Sequence, residues 1–218
     1  MPSAAQQPTG NRAVRRGELR GPLLGAIEQL LDAGESYTEL SVERIVAAAG
    51  VSRSTFYVYF EDKGDLLQSL TEELMGRLDE LAHAIWDLAE DAGYADVRER
   101  MAALVATYRE HRILMGAVVD SAVYDGRVGA AFGGVLEQAA GALAQHIRDG
   151  QAGGYVRSGL DPEPISAWLV WMTERGMYSL VREADDASLE RHVDALTTVV
   201  WNTLYEGVRP APRPEQEH

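Results

Sequence analysis

Five hydroxyl side chains surround one guanidinium between Ser52 and Tyr59: Ser52, Arg53, Ser54, Thr55, Tyr57 and Tyr59. Short hydroxyls and an arginine are the groups that reach base edges and phosphate oxygens of duplex DNA, and Arg53 is the candidate for reading guanine. Val51, Phe56 and Phe60 are interleaved among them and supply the apolar face such a surface needs for anchorage. Lys63 follows near the start of the next helical pattern, where its charge and the free backbone N–H groups can hold a phosphate. Spacing alone leaves a second reading equally open, in which these are two short solvated helices with ordinary half-buried tyrosines.

The segment that positions these residues runs from Leu40 to Phe60, too short for two ordinary helices and a long loop. Ser41 is suited to cap a first helix, along which Val42, Ile45, Val46 and Ala49 recur at helical spacing. Gly50 stands where the chain must leave that helix through a left-handed conformation. Ser52 then caps a second helix to about Tyr59, with Phe56 and Phe60 four residues apart on one face. A helix, a tight turn and a second helix make the helix-turn-helix arrangement, whose second helix enters the major groove. Upstream, Leu23, Leu24, Ile27, Leu30 and Leu31 mark another helix that ends at Gly34.

The stretch from Ala49 through Gly50, Arg53, Phe56, Tyr57, Tyr59 and Phe60 to Lys63 resembles the signature of the TetR family of one-component bacterial regulators, and the likeness extends back to Ser41 and forward to Leu66 and Leu67. The resemblance implies backbone or base contacts from Ser41, Arg53, Ser54, Thr55, Tyr57, Tyr59 and Lys63, and Arg44 and Ser52 are further candidates for DNA contact. Ser54 departs from the glycine frequent in the family, so an operator sequence is not carried over. Arg12, Arg15, Arg16 and Arg20 look like an N-terminal arm reaching backbone or minor groove, with a flexible solvated tail as the equal alternative.

A formal net charge of -14 argues at first against a polyanionic partner, but its distribution does not. Residues 1–64 hold seven Lys and Arg against eight Asp and Glu, whereas the remainder holds thirteen against twenty-six. The acid therefore belongs to the part expected to face away from DNA. The absence of cysteine excludes disulfides, a thiolate zinc site and a cysteine nucleophile. No apolar run reaches the roughly 18 residues of a spanning helix or forms a signal peptide, so a cytoplasmic protein is expected. His83, His111, His146, His192 and His218 lack metal-ligand spacing, and nucleophile-elbow, P-loop and dinucleotide fingerprints are missing. No metal, cofactor or enzymatic activity is expected.

Beyond residue 62 the pattern is helical throughout. A leucine stripe from Leu66 to Leu88 predicts a long helix to about residue 91, broken at Gly93. Further helices are expected over 96–110, 112–123, 127–152, 163–183 and 188–206, giving an all-α fold of about nine helices with no strand signal. Residues 165–172 and 195–205 carry no charge on any face, which requires burial on both sides: a dimer interface on one, a core or ligand pocket on the other. TetR-type proteins usually dimerise through their last two helices, and the resemblance implies a homodimer here. Trp86, Tyr108, Met115, Phe132, Leu136, Trp168, Trp171, Met172 and Met177, with Thr173 and Asn202 as polar points, are candidates to line an apolar effector cavity, plain core packing being the alternative for each. The run Trp171-Met-Thr-Glu-Arg-Gly-Met-Tyr178 resembles a segment of the ethionamide-regulator branch, where Thr173 and Gly176 replace asparagines. Gly126, Gly129, Gly133, Gly134 and Gly141 each cost a helix about 1 kcal/mol, a cost that close helix approach or cavity space must offset.

The expected organisation is thus a disordered basic arm (1–16), a DNA-binding domain (17–62), an effector and dimerisation domain (63–208) and a frayed tail (209–218). The function expected is a regulator, by default a repressor, released from palindromic operator DNA by a small, largely apolar effector. A helical ligand-binding or assembly protein that has lost DNA binding is the alternative.

Overall fold

Local signals account for most helix ends. In the computed structural model, which describes residues 9–87 and 92–208 (without the side chains of 9–13, 75, 77–79 and 81–83), the helices are α1 (Thr9–Asp32), α2 (Val42–Ala49), α3 (Arg53–Tyr59), α4 (Lys63–Trp86), α5 (Tyr94–Glu110), α6 (Arg112–Ala122), α7 (Gly126–Gly153), α8 (Pro162–Gly176) and α9 (Asp186–Leu204). A π-helical turn, Met177–Val181, follows α8 directly. No strand occurs among the described residues, as the periodicity predicts. Ser41 and Ser52 cap α2 and α3, and Gly50 leaves α2 at φ 66°, a left-handed conformation in which a Cβ is strained. No described helix is long and apolar enough to cross a membrane.

The described residues divide into two compact units, one of residues up to 73 with 113–132, the other of residues 74–112 with those from 133 onward. Chain order alone places a boundary near residue 62, but packing assigns α6 and the first turns of α7 to the first unit. There Leu23, Ile27, Ile45, Phe56, Phe60, Leu66 and Leu67 form a core to which Leu114, Met115, Val118 and Val128 belong. In the second unit α5 packs on α9, and Val97, Met101, Val105, Leu143, Ile147, Val193, Trp201 and Leu204 are buried. His146 ties this core together: one ring nitrogen meets the Trp86 carbonyl at 3.0 Å and the other the Tyr205 hydroxyl at 2.8 Å.

Helix α1 begins at Thr9, inside the segment expected as a basic arm, and its Arg16 and Arg20 are drawn to Asp65 and Glu73. The rest of the arm (1–8) and the tail (209–218) lie outside the described residues. Among the glycines of α7, Gly129 answers to close approach, since a Cβ there would stand 2.8 Å from the Ala122 carbonyl oxygen; Gly126, Gly133, Gly134 and Gly141 meet nothing within 4 Å.

Candidate nucleic-acid interface

Helix α3 has one buried face and one open face. Phe56 is fully buried and packs against Phe60 at 5.4 Å between centroids, fixing the helix to the core. Opposite, Arg53, Ser54, Tyr57 and Val58 are exposed. The Arg53 guanidinium is held by Glu43 of α2 at 2.7 Å and lies over the Tyr57 ring at 5.6 Å. Both groups are more than half exposed, so this ion pair is weak and its arginine is free to exchange Glu43 for a base edge or phosphate. Tyr59 is half-buried.

The hydroxyls divide into structural and available ones. Ser41 accepts the Arg44 N–H at 3.2 Å and Ser52 accepts the Thr55 N–H at 3.0 Å, so both are committed as caps. Ser52 also bonds the Ser54 and Thr55 hydroxyls at 2.9 and 2.7 Å, which presets the first turn of α3. Arg44 forms an exposed pair with Glu35 at 2.8 Å, the cause of its raised pKa.

Lys63 is not aimed at solvent phosphate. Its ammonium donates to the carbonyls of Tyr37 (3.1 Å), Thr38 (2.6 Å) and Leu40 (2.8 Å), which uses all three of its N–H groups. The Tyr37 hydroxyl donates in return to the Lys63 carbonyl at 2.5 Å, and burial pushes this phenol above its ordinary pKa. The lone lysine therefore clamps the loop that delivers Ser41, and partial burial lowers its own pKa. Arg16 is likewise turned inward, pairing with Asp65 at 2.5 Å and covering the Phe60 ring at 5.0 Å, whereas Arg15 is exposed.

The start of α4 carries a second cluster. Asp62 accepts the Asp65 N–H at 2.8 Å and both its oxygens take Arg127, which also binds Asp125 at 3.0 Å. Burial acts to raise the Asp62 pKa, but hydrogen bonds from Asp65 and Arg127 outweigh it and the net shift is downward; Arg127 likewise lowers Asp125. Gly64 is needed beneath this cluster, because a Cβ there would overlap the Asp125 carboxylate and Arg127 guanidinium. A cleft of about 580 Å³ opens beside it, lined by Tyr37, Lys63, Leu67, Ser121, Tyr124 and Arg127 among others, and by none of the residues singled out for an effector.

Those effector candidates are distributed over both units. Met115 and Phe132 are buried in the first unit. In the second, Tyr108 and Met177 are buried, while Trp86, Leu136 and Thr173 are partly so. Trp168 (77% exposed), Trp171, Met172 and Asn202 are exposed on the protomer. The reason is helical geometry: 168, 171 and 172 share one face of α8, while Ser166, Leu169 and Glu174 occupy the buried one.

A buried polar pair escaped the sequence reading. Glu174 is 2% exposed and neither carboxylate oxygen has a hydrogen-bond partner; the Tyr108 hydroxyl, on a fully buried side chain, has none either. Leaving such groups unmet costs about 1–3 kcal/mol each. Burial raises the Glu174 pKa, opposed by Arg175, and burial followed by the Glu174 charge raises that of Tyr108. The signal was present in the sequence, since Glu174 falls on the stripe of Ser166, Met177 and Val181 rather than on the outward face of α8.

Residues 25–70 match the family described as bacterial regulatory proteins, tetR family, and residues 97–206, half of the chain, match the C-terminal domain of transcriptional regulator EthR. The HTH-type transcriptional regulator EthR of Mycolicibacterium smegmatis is 25% identical over 206 residues, covering 93% of this chain and 94% of that protein. Its namesake from Mycobacterium tuberculosis H37Rv is 35% identical over 101 residues, 45% of this chain and 44% of that one. In fold, a TetR-family regulator from Pectobacterium atrosepticum superposes with a TM-score of 0.68 at 20% identity, over 91% of this chain and 98% of its own. The chain belongs to the TetR family of transcriptional regulators, with a C-terminal domain of the EthR type, and not to a family of enzymes.

Proposed function

We propose that this regulator is a cytoplasmic repressor that binds palindromic operator DNA as a homodimer and is released by a small, largely apolar effector. The observation that carries the proposal is the open face of α3, where Arg53, Ser54 and Tyr57 stand exposed on a helix whose other face is fixed by Phe56. Arg15 and Arg44 add exposed cations for phosphates. Dimerisation is supported by Trp168, Trp171 and Met172 of α8 with Val199 of α9, large apolar side chains left open to water on the last two helices. Two α3 helices related by a two-fold axis read half-sites roughly 34 Å apart or a multiple of it. Helix α4 contributes residues to both units, so a displacement of its second part by an effector is carried along the chain toward α3, and effector and operator affinities are reciprocally coupled.

The test is fluorescence anisotropy of the purified protein on labelled DNA from its own upstream intergenic region, with unlabelled specific and random competitors. Saturable binding displaced only by specific competitor supports the reading. Competition by random DNA at equal concentration contradicts it and favours a helical ligand-binding protein without operator recognition.

A further inference from the structure

We propose that Glu174 and Tyr108 are the polar end of an effector site whose ligand is a small apolar molecule bearing a protonatable nitrogen. The inference rests on the preceding reading only in taking the second unit to be the one that receives an effector.

Three buried oxygens make no hydrogen bond: both of Glu174, on α8, and that of Tyr108, on α5, which is near enough for the Glu174 charge to act on it. Neither neighbouring arginine meets these oxygens with a hydrogen bond. Arg175 approaches Glu174 only at 3.9 Å through Nε and stacks on the Tyr178 ring at 5.2 Å, its side chain largely in solvent. Arg182 covers the same ring at 4.7 Å and lies 3.3 Å from Glu183, and its buried Nε makes no hydrogen bond. Neither supplies a hydrogen bond to the carboxylate. The chain then passes from α8 into the π-helical turn Met177–Val181, a rare widening of the helix found frequently at functional sites.

An ionised carboxylate only accepts hydrogen bonds, so a hydrocarbon in this neighbourhood leaves it unmet and a neutral hydroxyl meets one oxygen. A protonated amine brings both donors and the opposite charge, while buried Met177 and Val181 offer apolar surface to the rest of the molecule. Burial, which raises the Glu174 pKa, disfavours a bare charge, and an arriving cation offsets that penalty.

The probes are naphthylmethylamine and naphthylmethanol, equal in apolar body and different in the terminal group, titrated by calorimetry into the full-length protein and into Glu174→Gln and Tyr108→Phe. The amine binds at least about tenfold tighter than the alcohol to the parent, as expected of a charged hydrogen bond gained. Glu174→Gln abolishes that preference while leaving alcohol affinity nearly unchanged, and Tyr108→Phe reduces it. Equal affinities in the parent, a preference retained in Glu174→Gln, or no binding of either probe at millimolar concentration overturns the proposal. Operator anisotropy on the same preparations separates the two readings: operator binding without amine preference refutes this inference alone, and amine preference without operator binding refutes the repressor alone.

Discussion

Replacing Lys63 by methionine preserves side-chain length and removes one charge and three donors. The carbonyls of Tyr37, Thr38 and Leu40 then lose the ammonium that now closes their loop. Hydrogen bonds to charged groups contribute about 1.5–3 kcal/mol each, but Lys63 is half-exposed and water recovers part of the set, leaving a loss of about 2–3 kcal/mol. For a chain of this size that lowers Tm by roughly 4–12 °C. Operator affinity falls with the loosened loop, since Ser41 and α2 follow it directly, and it falls equally at every salt concentration. A phosphate contact behaves differently: each contributes about 0.9 to the slope of log K against log salt, so removing a symmetric pair from a dimer flattens the slope by about 2. Differential scanning fluorimetry and salt-titrated anisotropy measure both. An unchanged Tm with a slope flattened by about 2 refutes the inward role assigned to Lys63.

Two glycines of α7 should respond with opposite sign in urea unfolding. Gly134→Ala gains about 0.5–1 kcal/mol because nothing lies within 4 Å of the new methyl, whereas Gly129→Ala drives its methyl into the Ala122 carbonyl at 2.8 Å and loses stability despite the same propensity gain. Trp168→Glu, on the open face of α8, gives a monomer by light scattering at concentrations where the parent is dimeric, with weakened operator binding; a persistent dimer places the interface elsewhere. Burial raises the Glu174 pKa, so the folded state keeps that proton longer than the unfolded one, and stability declines as pH climbs from the ordinary value of 4.5 through the raised one. Glu174→Gln removes the decline: it stabilises the free protein at neutral pH by about 1 kcal/mol or more and by nothing below pH 4.5, and an equal shift at both pH values contradicts the assignment.

What was legible in the sequence was what is decided within one helical turn. Ser41, Gly50 and Ser52 announce the ends of α2 and α3 through their own backbone preferences, and the structure uses them so. Orientation across long separations was not legible. Arg16 looks like part of a DNA-seeking arm until Asp65, forty-nine positions on, supplies its partner. Lys63 looks like a phosphate ligand because its partners are backbone carbonyls, which every residue has and no sequence marks. The same holds for the apolar candidates: Trp168 and Met177 have the same chemistry on paper, yet one lies open on the face of α8 and the other is buried beside Glu174. Carboxylates on helices are usually solvated, and that expectation concealed Glu174 although its register on α8 placed it inward.

The central claim is that α3 reads DNA through Arg53 and Tyr57. It is tested most directly by comparing the parent with an Arg53→Ala, Tyr57→Ala variant, shown by circular dichroism and Tm to be folded, in anisotropy titrations on the upstream DNA and on random DNA over a range of salt. The account predicts that the variant loses the difference between the two DNAs while keeping much of its salt-dependent, nonspecific binding. A variant that still discriminates the two DNAs as the parent does contradicts it.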